Sequence, residues 1–263
     1  MEIELKEYKY KSKKINIKLN SKYIYGIIGK NIEDWEEIIK INSNYKDNVL
    51  INKKVLLENE LNSYKKRIAI LKEKDYLNIH KETIYDLMEY ILKQKKIYPK
   101  NTQKKIKDSL RIVGLNKEIL NRNLVTLSRS ETKLLQIAIS LLSNPDVLII
   151  EEPFKYLDIK TLKNLMIVLR KMKDQYNKIV IFLSKDIEKI YQNTDNTIIY
   201  NKGNVVVQGK TKEVFKDVEL LKENKISIPE IVNFTYEAKL KKSVKLDYHQ
   251  NIRDIIKDIY KHV

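Results

Sequence analysis

Apolar residues along this chain fall into two rhythms, and the change from one to the other marks out its elements. Ile3 and Leu5, then Ile15, Ile17 and Leu19, alternate with polar residues on either side of a lysine-rich turn, which predicts an antiparallel pair of strands. Tyr23 to Gly29, Val147 to Ile150 and Ile179 to Leu183 are short, almost wholly apolar runs, and each reads as a buried strand. The segment from Asn48 to Leu71 alternates Lys or Asn with Val, Leu and Ile, so further strands are expected there. Leu134, Leu135, Ile137, Ala138, Leu141 and Leu142 share one face of a helix that Asn144-Pro145 stops. A second helix is expected to start at Thr83-Ile84-Tyr85-Asp86 and to break at Pro99, and a third to run from Thr102 to Val113 with Gly114 as its C-cap. Thr197 to Tyr200 and Val205 to Val207 flank a turn at Lys202-Gly203-Asn204, a hairpin, after which Gly209 to Phe215 leads into a helix. Ile252, Ile255, Ile256, Ile259 and Tyr260 stripe the last helix.

Composition narrows what these elements can serve. With 263 residues, 43% of them hydrophobic, the chain suits one large domain with a small appendage. It has no cysteine, which excludes disulfides and thiolate metal sites, and His80, His249 and His262 are too scattered to suggest a metal cluster. The first residues, MEIELKEYKYKSKK, lack the apolar core of a secretory signal. No apolar run approaches the roughly 20 residues needed to cross a bilayer, so a cytoplasmic chain, soluble by itself, is expected. The net charge of +17 is almost all lysine, mixed everywhere with Asn, Ile and Tyr. A nucleic-acid groove would concentrate arginine and stacking aromatics in one stripe, so no nucleic-acid partner is expected. Attraction to an anionic membrane surface is compatible with the charge, at about 1 kcal/mol for each lysine that comes close.

Glu151 and Glu152 stand at the C-terminal edge of the Val147–Ile150 strand, where open parallel sheets place their ligand chemistry. One such acid can hold a divalent cation while the other polarises a water. A solvated strand end accounts for the same pair.

The order of the parts resembles an ATP-binding-cassette ATPase over nearly the whole chain. Leu127-Ser128 opening a helix looks like that family's signature, Leu148 to Pro153 like its second nucleotide motif, and Tyr156-Leu157-Asp158 like the loop that follows. The resemblance implies an α/β fold with a parallel core sheet, an antiparallel β subdomain and a helical subdomain. It casts Glu152 as the general base and Glu151 as the metal-contacting acid. Tyr8 and Tyr10 fall near the aromatic that stacks on adenine in the family, although packing against the sheet explains them equally. In the phosphate loop that would follow Gly29, the family's glycine positions carry Ile32 and Asp34, its lysine position Trp35, and its hydroxyl pair Glu36-Glu37. A carboxylate about 5 Å from a phosphate charge costs on the order of 3 kcal/mol, and a few such terms exceed the roughly 8 kcal/mol that hold a micromolar ligand. Asp34 or Asn31 is expected to cap the helix through Trp35, Ile38, Ile39 and Ile41, with these acids replacing phosphate as the anion at its start.

Other motif positions depart as well. Lys72 or Glu73, depending on register, stands for the glutamine that ends the Ile68–Leu71 strand, and Lys185 for the switch histidine after Leu183. The signature's two glycines and glutamine read Arg129-Ser130-Glu131. In the family the signature acts on nucleotide held by the other subunit, so Ser128, Arg129 and Asp158 point toward a partner's site. Arg129 is either a γ-phosphate contact there or a surface arginine. The tail from Val214 to Glu230 looks like that of energy-coupling-factor ATPases, which drive uptake of vitamins and metal ions.

These resemblances imply an ATPase-like domain over 1–215, with a helical subdomain at about 78–143, and a dimerisation extension over 216–263. The expected function is a degenerate, non-hydrolysing cassette subunit of an energy-coupling-factor transporter on the cytoplasmic face of the membrane. Its partners would be an intact cassette ATPase and a membrane-spanning coupling protein. No cofactor is expected in its own site, and Mg-ATP is expected at the site shared with the partner. An active ATPase with divergent motifs, or a soluble scaffold or nucleic-acid-binding derivative of the fold, are the rival readings.

Overall fold

A computed structural model describes residues 1–41, 48–242 and 246–262. The chain divides into two compact units, one of Met1, residues 20–22 and 56–180, the other of residues 2–19, 23–55 and 181–263.

In the first unit, β6 (Ile68–Leu71) pairs in parallel with β7 (Val147–Glu151), from Ile68 opposite Val147 to Leu71 opposite Ile150. Val147 to Ile150 are fully buried, which explains a run without a polar face. Helix α2 (Glu58–Lys66) lies in the segment read above as strands. Only Leu61 and Tyr64 of it are buried, so its apolar period was too sparse to stand out from the surrounding Lys and Asn. Helix α3 (Ile84–Gln94) starts where expected, because Thr83 Oγ1 accepts from the Asp86 amide while the Asp86 carboxylate accepts from the Thr83 amide. It ends five residues before Pro99, at a left-handed Lys96, so a backbone reversal and not the proline closes it. Helix α4 (Thr102–Ile112) ends before Gly114 as expected. Helix α5 (Arg129–Leu141) buries Leu134, Leu135, Ile137, Ala138 and Ile139, and helix α6 (Ile159–Tyr176) follows β7.

The second unit holds two sheets. One contains the hairpin of β1 (Glu2–Tyr10) and β2 (Lys13–Asn20), with β4 (Val49–Ile51) and β5 (Lys54–Val55) beyond β1. The other is built around β3 (Ile24–Lys30), which pairs in parallel with β9 (Asn196–Asn201) from Tyr25 opposite Asn196 to Lys30 opposite Asn201. β10 (Asn204–Lys210) returns antiparallel on β9, the expected hairpin. β8 (Ile179–Leu183) begins in the first unit and ends in the second. Helix α1 (Trp35–Lys40) follows β3, α7 (Ile187–Asn193) follows β8, and α8 (Thr211–Lys216), α9 (Val218–Glu223), α10 (Glu230–Lys242) and α11 (Ile252–His262) complete the chain. Along the last helix Ile255 is buried while Ile252, Ile256 and Tyr260 remain exposed.

Candidate functional site

The site residues are distributed over both units, and each part has its own internal logic. In the second unit, β3 runs out through Gly29 at φ 117°, where an added Cβ would lie 2.0 Å from the Tyr200 carbonyl oxygen. Glycine is therefore required there by the neighbouring strand. Asn31 is left-handed, a short 3-10 turn spans Ile32–Asp34, and α1 begins. Neither Asn31 nor Asp34 caps a helix with its side chain, which corrects the expectation above. Asp34 is drawn elsewhere: its carboxylate accepts from Lys11 Nζ at 2.9 Å and from the Tyr200 hydroxyl at 2.9 Å. Glu37 accepts from the Tyr10 hydroxyl at 2.8 Å. Burial, followed by the Glu37 hydrogen bond and the negative charge of Asp34, pushes the Tyr10 phenol far above its ordinary range. Tyr200 is pushed up for the same reasons, burial first and Asp34 next. Tyr8 and Tyr10 are both buried, so neither ring is presented for stacking, in line with the packing alternative.

Trp35, at the family's lysine position, is 0% exposed and packs edge-on against Tyr200 with ring centroids 6.0 Å apart. The segment in the place of a phosphate loop thus anchors Ile32 and Trp35 in the core, and two of its acids, Asp34 and Glu37, are answered by Lys11, Tyr200 and Tyr10. Lys185 follows β8 on the exposed stretch before α7, whose start is capped by Asp186 accepting from the Lys189 amide at 3.0 Å.

In the first unit, Glu151 ends β7 and is bound from two sides. Its carbonyl accepts from Lys133 Nζ at 2.8 Å, and its carboxylate accepts from the Glu73 amide at 3.0 Å. Of the two residues left open by the register, Glu73 is the one joined to Glu151. Its own carboxylate is paired with Lys155, which holds it below the usual range, and its carbonyl receives Gln136 Nε2 at 3.2 Å. Glu152, next along, has left-handed backbone at φ 45°. Lys133 is only 2% exposed, and burial lowers its ammonium to about 8 against the pull of Glu73, Glu152 and Glu151. Sequence reading passed over Lys133 and Gln136; their signal was two polar residues inside the apolar face of α5.

Ser128 caps α5 as expected. Its Oγ accepts from the Glu131 amide at 3.2 Å, while the Glu131 carboxylate accepts from the Ser128 amide at 2.9 Å and pairs with Arg122 at 3.0 Å. Arg129 is exposed and its guanidinium lies 5.4 Å from the Tyr156 ring centroid. Asp158 caps α6, accepting from the Thr161 amide at 2.8 Å and the Thr161 hydroxyl at 2.9 Å, and these bonds hold its carboxyl below the usual carboxylate range. Among the described residues, no group of three or more His, Cys, Asp or Glu is placed to hold a metal ion.

The order of the elements along the chain, with a helix-feeding loop after β3 in one unit and a strand, β7, that ends in acids in the other, is that of an ATP-binding cassette. Solved cassettes share it: an ABC transporter subunit from Clostridium perfringens, cbiO1, part of the complex cbiONQ, aligns with a TM-score of 0.67 at 21% identity, over 89% of this chain and 98% of that one. A dimeric cassette in a post-hydrolysis state, bound to ADP and Pi, aligns with a TM-score of 0.62 over 80% of this chain and 98% of that one. The ABC transporter family model matches residues 35–155, and the chain carries an ABC transporter ATPase domain. Among curated relatives, the energy-coupling factor transporter ATP-binding protein EcfA2 of Staphylococcus aureus is 29% identical over 134 residues, 51% of this chain and 47% of that protein. The EcfA2 of Clostridium perfringens is 28% identical over 69% of this chain and 64% of that protein. The chain therefore spans about half to two-thirds of the length of these relatives. No helix among the described residues is long and apolar enough to cross a membrane.

Proposed function

We propose that the chain is a degenerate, non-hydrolysing cassette subunit of an energy-coupling-factor-type uptake transporter. In this reading it sits on the cytoplasmic face of the membrane with an intact cassette ATPase and a membrane-spanning coupling protein. The observation that carries the reading is the conversion of the loop after β3 into core. Trp35 is fully buried where a phosphate-binding lysine would stand, and Asp34 and Glu37 are held by Lys11, Tyr200 and Tyr10. These residues do not fit a triphosphate, since they offer it carboxylates and a closed aromatic contact in place of backbone amides and an ammonium. The resemblance to EcfA2 proteins supports the transporter assignment.

The other half of a cassette pair is served from the signature side. Ser128, Arg129 and Asp158 are exposed at helix starts on the first unit, where they would complete a partner's Mg-ATP site. Glu152 and Glu151 are then idle in catalysis, Glu151 being engaged with Lys133 and Glu73. Residues 216–263 supply the dimerisation surface through Phe234, Ile252, Ile256 and Tyr260, which are 51%, 67%, 45% and 79% exposed.

Two measurements test this. The tagged chain, purified from mildly solubilised membranes, should bring down an intact cassette ATPase and a multispanning protein. The chain alone should turn over no Mg-ATP. Recovery free of both partners would overturn the transporter role, and ATP turnover by the purified chain would overturn the non-hydrolysing assignment.

A further inference from the structure

Four lysines far apart in sequence come together at one place in the second unit. A polar cavity of about 630 Å³ opens beside the carboxyl ends of the parallel strands β3 and β9, lined among others by Lys13, Lys30, Lys202 and Lys225. Lys30 and Asn201 are the last residues of those strands and stand opposite one another in register. Lys202 lies on the tight turn to β10, whose Gly203 brings the backbone close to the Lys13 stem: a Cβ added there would meet Lys13 Cγ at 3.3 Å. Lys225, left-handed just beyond α9, closes the other side.

Four ammonium groups share this cavity with one carboxylate, Glu223. Among the described residues none of the four lysines forms an ion pair. Asp34, on the loop that follows Lys30, is already answered by Lys11 and Tyr200. The cavity thus carries an excess of positive charge that folding leaves uncompensated, outside the carboxyl ends of parallel strands, the position where open α/β sheets receive ligands. Ammonium groups on flexible stems suit phosphate as point charges, and several around one cavity suit a ligand with clustered phosphates over a single anion.

We propose that this cavity, which meets the loop after β3 only at Lys30, is a binding site for a ligand bearing clustered phosphate groups. It does not depend on the transporter assignment. The ligand is either a soluble polyphosphorylated molecule or the headgroup of a polyphosphorylated lipid, and the same ammonium groups would take both.

The test is calorimetric titration of the full chain with inorganic tripolyphosphate at low and at moderate salt. The variant K13Q/K30Q/K202Q/K225Q is compared with K65Q/K66Q/K100Q/K104Q, which removes the same charge from exposed lysines elsewhere. The expected result is binding that weakens several-fold as salt screens it, at least tenfold loss in the first variant, and less than twofold change in the second. Circular dichroism confirms that both variants are folded, which exposed lysine-to-glutamine changes should permit. Vesicles of phosphatidylcholine with and without a few per cent phosphatidylinositol bisphosphate then separate the sources. Lipid-dependent sedimentation that tripolyphosphate competes away assigns a headgroup; its absence beside calorimetric binding assigns a soluble ligand. Equal loss in the two variants would mean that only the net charge attracts the anion, and this, or no binding by the native chain, overturns the site.

Discussion

Lys133 offers a quantitative handle on how α5 is joined to the end of β7. It is 2% exposed, and its ammonium, at about 8, is held well below the ordinary 10.5 chiefly by burial. A lysine whose constant is lowered on folding destabilises the native state wherever it is charged there. From the difference between those two values, the penalty is about 3 kcal/mol at low pH, fully present below the folded value and relieved as pH rises from about 8 toward 10.5. Between pH 7 and pH 9 the linkage relation recovers about 1 kcal/mol of it. The groups facing Lys133 are Glu73, Glu151, Glu152 and Lys155. Lys133→Met removes the titration and also the bond to the Glu151 carbonyl, so its absolute stability mixes two effects. The slope does not. Urea unfolding of native protein and variant at several pH values from 7 to 9.5 should show native stability rising by about 2 kcal/mol relative to the variant over the whole range. Background titrations common to both proteins cancel in the difference. Parallel curves would show that the ammonium is not held in low dielectric, and the account of this junction would fall.

Three further outcomes follow from the same packing. Trp35→Lys replaces a fully buried indole with a charge and should cost about 3 kcal/mol or more in urea unfolding while creating no ATP hydrolysis; a stable variant that hydrolyses ATP would refute the reading of Trp35 as core. Gly29→Ala drives a Cβ to 2.0 Å from the Tyr200 carbonyl at a backbone angle alanine resists, so soluble yield should collapse, and a native melting temperature would contradict the close approach. Ser128→Ala removes the acceptor for the Glu131 amide and should lower stability by about 1 kcal/mol by chemical denaturation, with the partner's ATPase rate in the reconstituted complex falling too. An unchanged rate would remove Ser128 from the shared site.

What could be read from the sequence was set by how far each signal reaches along the chain. The buried stretches at 147–150 and 179–183 announce themselves because every residue of a doubly covered strand is apolar, and the cap at Thr83 because its partner Asp86 is three residues away. Helix α2 stayed hidden because two buried residues, Leu61 and Tyr64, do not make a period. The fate of Asp34 was beyond sequence for a different reason. A helix start offers an acid a local role as cap, worth about 1 kcal/mol, and local reasoning chooses it. The fold offers instead a lysine from the β1–β2 turn, 23 residues back, and a tyrosine hydroxyl 166 residues on.

That competition bears on function. An acid that merely capped its helix could be exchanged for a phosphate-binding residue with little loss, and the loop would be one step from nucleotide chemistry. An acid tied to Lys11 and Tyr200, beside an indole with no exposed surface, cannot be exchanged without reworking both neighbours. In the proposed reading the loss of the loop is therefore tied to the core of the second unit through Trp35, while the exposed side chains of the signature helix vary without disturbing it. The asymmetry matches the proposed subunit, which completes a partner's site and turns over no nucleotide at its own loop.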